Sequence, residues 1–114
     1  MNNIGGNITA VFQVKSTEKN IIGESEKTWV NAQKLTGWLD LQSGDSTTTY
    51  NAKIQESTHI FMCDYKKLTG ITADNSRMII GGDVYQVNLI DNPMGMNEHL
   101  EIYLKYIGGG LGVK

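Results

Sequence analysis

Between Arg77 and Ile107 apolar and polar residues alternate, and two short turn sequences break the alternation into three pieces. Arg77-Met78-Ile79-Ile80 runs into Gly81-Gly82-Asp83, residues that tolerate the positive φ of a tight turn. Tyr85, Val87 and Leu89 then alternate with Gln86 and Asn88, within a strand expected over Val84 to Asp91. After the loop Asn92-Pro93-Met94-Gly95-Met96-Asn97, residues Leu100, Ile102, Leu104 and Tyr106 alternate with Glu101, Tyr103 and Lys105. Successive side chains of a strand point to opposite faces, so each piece has one face for a core and one for solvent. Three such strands joined by short turns form a meander, which commits this end of the chain to antiparallel sheet.

The rest of the chain fits the same class. From Asn7 to Lys15, Ile8, Ala10, Phe12 and Val14 oppose Thr9, Gln13 and Lys15, with Val11 the apolar exception on the outer face. Ser16 to Lys27 turns polar and charged, interrupted by Ile21-Ile22-Gly23, and is expected to be a long loop. Gln33 to Leu41 predicts a strand with Leu35, Leu39 and Leu41 on one face and Thr36, Trp38 and Asp40 on the other. Gly37 within it marks a bulge or a close backbone approach. A turn-rich loop follows over Gln42 to Thr49, then a short helix over Tyr50 to Gln55. Thr58 to Tyr65 predicts another strand, and Lys66 to Asn75 a polar connection with a turn at Asp74-Asn75. The expected fold is all-β: a small antiparallel β-barrel with long loops and at most one short helix. Residues 1–107 form the single domain and 108–114 a flexible glycine-rich tail.

Composition narrows the function. Ten basic and twelve acidic residues give a net charge of −2, against the clustered basic stripe of a dedicated nucleic-acid binder. The lone Cys63 cannot form an intrachain disulfide and reads as a small buried hydrophobe. Met1 to Gly6 lacks the basic flank and apolar stretch of a signal peptide, so synthesis in a cytoplasm is expected. His59 and His99 have no Cys, Asp or Glu at ligand spacing, and the Gly108–Lys114 tail lacks the phosphate-loop pattern. Trp29 and Trp38 suit core packing or a protein contact better than base stacking, for want of an accompanying set of basic residues. No enzyme chemistry, metal or cofactor is expected.

The order and spacing of several pieces resemble the head–tail joining (head completion) proteins of tailed bacteriophages. These pieces are Gly37-Trp38-Leu39-Asp40 before a polar loop, a strand opening on Thr58-His59 and ending at Tyr65, and Arg77-Met78. Gly82-Asp83-Val84-Tyr85-Gln86-Val87, Ile90, Asp91 and the alternating Leu100, Ile102, Leu104 complete the match. That family often carries Arg just before the tyrosine that ends the middle strand, where Asp64 stands here.

The resemblance implies a virion protein that forms a ring between portal and tail, extends the DNA channel, helps retain packaged DNA and docks the tail. Its implied partners are portal or adaptor and tail proteins and further copies of itself; a monomer in isolation is compatible with it. DNA passes through without sequence-specific binding, and no membrane is involved. Within this reading Gln42, Ser43, Gly44, Asp45, Ser46, Thr47, Thr48, Thr49 and Tyr50 are the candidate lumen or closure loop. Ser16, Glu18, Lys19, Ile21, Ile22, Glu24 and Lys27 are the candidates for reaching the portal or a neighbouring subunit. Arg77 is expected to fasten the final meander through an ion pair. Two alternatives stand beside this one: an OB-like nucleic-acid or ligand-binding barrel, and a minor tail protein.

Overall fold

The alternation around Leu100, Ile102 and Leu104 becomes strand β6, His99–Gly108, whose three leucine and isoleucine side chains are buried. A computed structural model of the chain describes residues 4–19, 25–41 and 56–109. Five more strands precede β6: β1 Ile8–Lys19, β2 Ser25–Leu41, β3 His59–Asp64, β4 Ser76–Ile80 and β5 Asp83–Asp91. All neighbours pair antiparallel in the order β1-β2-β3-β6-β5-β4, and β4 returns to β1 through Ala10↔Ile80 to Val14↔Ser76, closing a barrel. Closure pairs the sheet edges that an open sheet would leave to solvent.

Inward-facing residues of every strand fill the interior. Ala10, Phe12, Leu35, Phe61, Cys63, Met78, Tyr85, Val87, Leu100, Ile102 and Leu104 are buried, and Ile71 joins them from the β3–β4 connection. That connection is held by Asn75, which receives the Thr72 amide at 2.9 Å and donates to the Gly70 carbonyl at 2.9 Å. The expected turn at Asp74-Asn75 is present.

Antiparallel pairing gives the barrel two rims. The ends at Ile8, Leu41, His59, Ile80, Asp83 and Gly108 form one, called here the proximal rim; the ends at Asp64, Ser76, Asp91 and His99 form the distal rim.

Several expectations need correction. Ser16–Lys27 is not one long loop: Ser16–Lys19 continues β1, Ser25–Lys27 begins β2, and the two pair as far as Lys19↔Ser25. Alternation could not show this, because a strand pair beyond the core has no reason to alternate. β2 therefore starts at Ser25, not Gln33, and contains Trp29. The bulge of this hairpin lies not at Gly37 but at Ala32, where Phe12↔Gln33 gives way to Gln13↔Asn31. Gly37 instead allows close approach: a Cβ there would strike the Met62 carbonyl oxygen. Leu41 is 81% exposed, since β2 ends at the proximal rim with no core beneath it. In β5 the alternation breaks at Asn88. Val87 pairs with Leu104 and Leu89 with Tyr103, so Val87 and Asn88 are both buried and Ile90, not Leu89, packs on the core. The Asn92–Asn97 loop holds a 3-10 turn at Pro93–Gly95. The helix expected over 50–55 lies outside the described residues.

Candidate functional site

The longest pairing in the sheet leaves the barrel. β1 is bonded to β4 only from Ala10 to Val14, and β2 to β3 only from Gly37 to Leu41, while β1 and β2 stay paired out to Lys19 and Ser25. The excess projects past the distal rim as a two-stranded ribbon. Along it Ser16–Lys19 of β1 pairs with Ser25–Thr28 of β2, and as far as Thr36 β2 has no strand partner but β1 among the described residues. An unpaired strand edge presents backbone donors and acceptors to any segment that can extend beside it.

The ribbon's root is anchored across three strands. The Lys15 amide donates to the Asn75 carbonyl at 2.9 Å, the last tie before the ribbon leaves. Arg77 on β4 donates from Nε to Gln13 Oε1 at 2.8 Å, and Gln13 Nε2 donates to Asn31 Oδ1 on β2 at 2.9 Å. The same guanidinium lies 4.4 Å from the Trp29 ring centre, and Lys15 Nζ lies 5.8 Å from it. Arg77 thus fastens the meander to the ribbon by a hydrogen bond and a cation–π contact; the expected ion pair is not found among the described residues. Partial burial lowers its pKa from the ordinary value. Beside Trp29 opens a cleft of about 470 Å³ whose charged walls, Lys15 and Arg77 against Glu56 and Asp74, favour neither sign of ligand.

At the proximal rim three rings close the barrel. Tyr85 meets His59 at 5.2 Å and Tyr106 at 5.5 Å, both edge-on. Burial, then the charges of Asp83 and Tyr106, raises the Tyr85 pKa. Thr58 ties the returning chain down: its amide donates to the Leu104 carbonyl at 2.8 Å and its hydroxyl receives the Tyr106 amide at 2.8 Å. Next to it, Ser57 Oγ receives Nδ2 of the bulged Asn88 at 3.1 Å, and Gln86 Nε2 donates to Asn88 Oδ1 at 2.8 Å.

The described residues that adjoin the two candidate segments lie at opposite ends of the barrel. Gln42–Tyr50 lies outside the described residues, but it is bounded by Leu41 and by the Glu56–Thr58 return, both at the proximal rim. Ser16, Glu18, Lys19 and Lys27 lie in the distal ribbon; Ile21, Ile22 and Glu24 are outside the described residues.

The reactive side chains are held quiet. Burial, and next the Asp64 charge, push the Cys63 thiol up to about 11, leaving little thiolate near neutral pH. On β6, His99 Nε2 lies 3.0 Å from Glu101 Oε2, and Tyr103 donates to Glu101 Oε1 at 3.1 Å. Burial, with the Glu101 charge and hydrogen bond, pushes Tyr103 up to about 12, so it serves as a donor. Among the described residues no cluster of three His, Cys, Asp or Glu is placed to hold a metal.

Two arrangements had little trace in the sequence. Asp64, where the resembled family often has Arg, receives the Ile4 amide at 2.6 Å and the Gly5 amide at 3.3 Å. Trp38 Nε1 donates to the Ile4 carbonyl at 3.0 Å, so the segment before β1 is strapped across β2 and β3. The second is the Asn92–Asn97 loop, which holds two methionines in solvent; two large apolar residues inside a turn sequence were the available signal.

A family model described as phage head completion protein matches residues 5–105. The solution structure of protein SF1141 from Shigella flexneri 2a is similar to this chain, with a TM-score of 0.71 at 21% identity over 93% of this chain and 96% of that one. At that identity the likeness speaks for the fold. No curated protein matches the sequence.

Proposed function

Because the chain belongs to the phage head completion protein family, we propose that copies of it form a ring between the portal and the tail. Membership makes it a structural phage head protein, a virion component that works among other virion proteins. In the proposed ring it extends the DNA channel, helps retain packaged DNA and gives the tail a docking surface. The barrel acts as one unit, and its last strand takes in Gly108, the first residue of the expected tail.

The observation that carries this reading is the ribbon of β1 and β2, which leaves the barrel at the distal rim with open strand edges. A closed ring needs a heterologous contact, one surface meeting a different surface of the next copy. The open edges of the distal ribbon supply backbone groups for such a contact, by strand addition to a neighbour or to the portal. In this reading Ser16, Glu18, Lys19, Ile21, Ile22, Glu24 and Lys27 are the residues assigned to that contact. Gln42–Tyr50, which follows Leu41 in the chain, is assigned to the lumen and its closure in this reading. A net charge of −2 suits a channel through which DNA slides without sticking.

The test uses heads assembled without this protein. Adding the purified chain should produce a ring visible at the head vertex by electron microscopy and should keep DNA inside. A variant with 42–50 replaced by a Gly-Ser linker should still bind the heads but lose DNA. Nanomolar, salt-sensitive binding of DNA by the isolated protein in a gel shift would overturn the reading in favour of a nucleic-acid-binding barrel.

A further inference from the structure

Where the ribbon leaves the barrel, β2 and β3 diverge and form a fork. Their ladder ends at Gly37↔Cys63, yet β3 stays with β6 as far as Asp64↔His99, while β2 runs on towards Ser25. In the angle between them opens a cleft of about 450 Å³, walled by Lys34 and Thr36 of β2 on one side and by Asp64 and Lys66 on the other. Its floor is closed, since Leu35 and Cys63, which also line it, are buried. On this side the backbone of β2 has no strand partner among the described residues. The charges of the cleft are unequal. Both carboxylate oxygens of Asp64 accept amides, that of Ile4 at 2.6 Å and that of Gly5 at 3.3 Å. Lys34 and Lys66 are exposed, and neither is in an ion pair among the described residues. The fork thus offers an open strand edge between two ammonium groups that nothing neutralises.

The ribbon shows the opposite imbalance. Its register sets Glu18 directly opposite Glu26. Like charges opposed across a strand pair cost stability, and this part of the ribbon lies past the pairings with β4 and β3, where no core offsets the cost. Lys19 and Lys27 are each one residue along, and successive strand positions alternate faces. The two glutamates therefore need cations from outside their own ribbon.

We propose that the fork at the root of the ribbon is a socket for the ribbon of the next copy of this chain, the Glu18–Glu26 step of one copy lying against Lys34 and Lys66 of its neighbour. This deepens the ring reading and rests on it. Two acidic residues meet two basic ones, and the open edge of β1 over residues 16–19 meets the open edge of β2 over residues 34–36. Socket and ribbon are different surfaces, so the contact is heterologous. Each copy gives its ribbon to one neighbour and its fork to the other, as a closed ring requires. Charges placed in this way fix the orientation of the contact and reject wrong partners.

The experiment adds purified variants to heads assembled without this protein, looks for the ring by electron microscopy and counts infectious particles after tails are supplied. Lys34→Glu with Lys66→Glu should lower the count roughly tenfold or more, and Glu18→Lys with Glu26→Lys should do the same. The variant carrying all four reversals should recover most of the loss, because every fork and every ribbon is then reversed together. A folding defect would accumulate over the four changes instead of cancelling, so recovery separates a lost contact from a lost fold. Either pair of reversals that completes heads as well as wild type overturns the proposal, and so do four reversals that recover nothing; a wild-type ring at the vertex then leaves the ring reading intact. Wild-type protein that forms no ring on the heads overturns both.

Discussion

Single residues show how closely this small barrel is fitted. Gly37 is buried where β1, β2 and β3 meet; an added Cβ would strike the Met62 carbonyl oxygen and lie 2.9 Å from Cys63 Cβ. Backbone in a central ladder cannot yield as a flexible side-chain end can. Gly37→Ala should therefore cost about 3 kcal/mol or more, read as a fall in the urea midpoint or a failure to fold. Cys63 sets a pH limit. Its thiol titrates at an ordinary 9.0 when unfolded and at about 11 when folded. The folded state thus holds the proton over that interval, so its contribution to stability is complete below pH 9 and disappears as pH rises through 11. Above pH 10 the raised tyrosines Tyr85 and Tyr103 add to the loss in the same direction. Urea midpoints measured at steps from pH 7 to 10 should decline from about pH 9, and Cys63→Ser should flatten the decline below pH 10. Of these two residues, Gly37 was half legible: a glycine within a strand signalled close approach, while the neighbour it approaches depends on register.

At the scale of elements, the legible parts are those whose two faces meet different surroundings. β6 and β4 alternate because one face meets core and the other water. β5 alternates until Asn88, where the bulge buries two consecutive residues, and no period-two reading anticipates an extra residue. That bulge has a use, for it brings Asn88 within 3.1 Å of Ser57 at the point where the chain re-enters the barrel. Asn88→Ala should destabilise the fold by about 1–3 kcal/mol, because the buried groups left behind lose a partner. Hydrogen exchange should show the effect concentrated in the Ser57–Thr58 and Gln86–Leu89 amides. The distal ribbon was illegible for the opposite reason: both its faces lie beyond the core, so its sequence reads like a loop. Trp29 has Lys27 two residues before it in sequence, yet the guanidinium that folding lays over its ring is Arg77, from almost fifty positions away.

For the whole molecule, all-β architecture followed from local pattern, but the order of strands did not. Nothing in the alternation of β1 says that β4 will lie beside it, because that seam joins Ala10–Val14 to Ser76–Ile80 across most of the chain. The candidate segments were likewise visible as polar stretches, while the rims at which the strands beside them end needed the full set of pairings. The seam has a further consequence during synthesis. The β1–β2 pair can form as soon as Leu41 is made, but the strand that covers its other edge ends only at Ile80. At about 5–20 residues per second, the nascent chain waits several seconds with that edge bare on every ribosome translating the message. Neighbouring nascent chains would expose identical edges at the same moment.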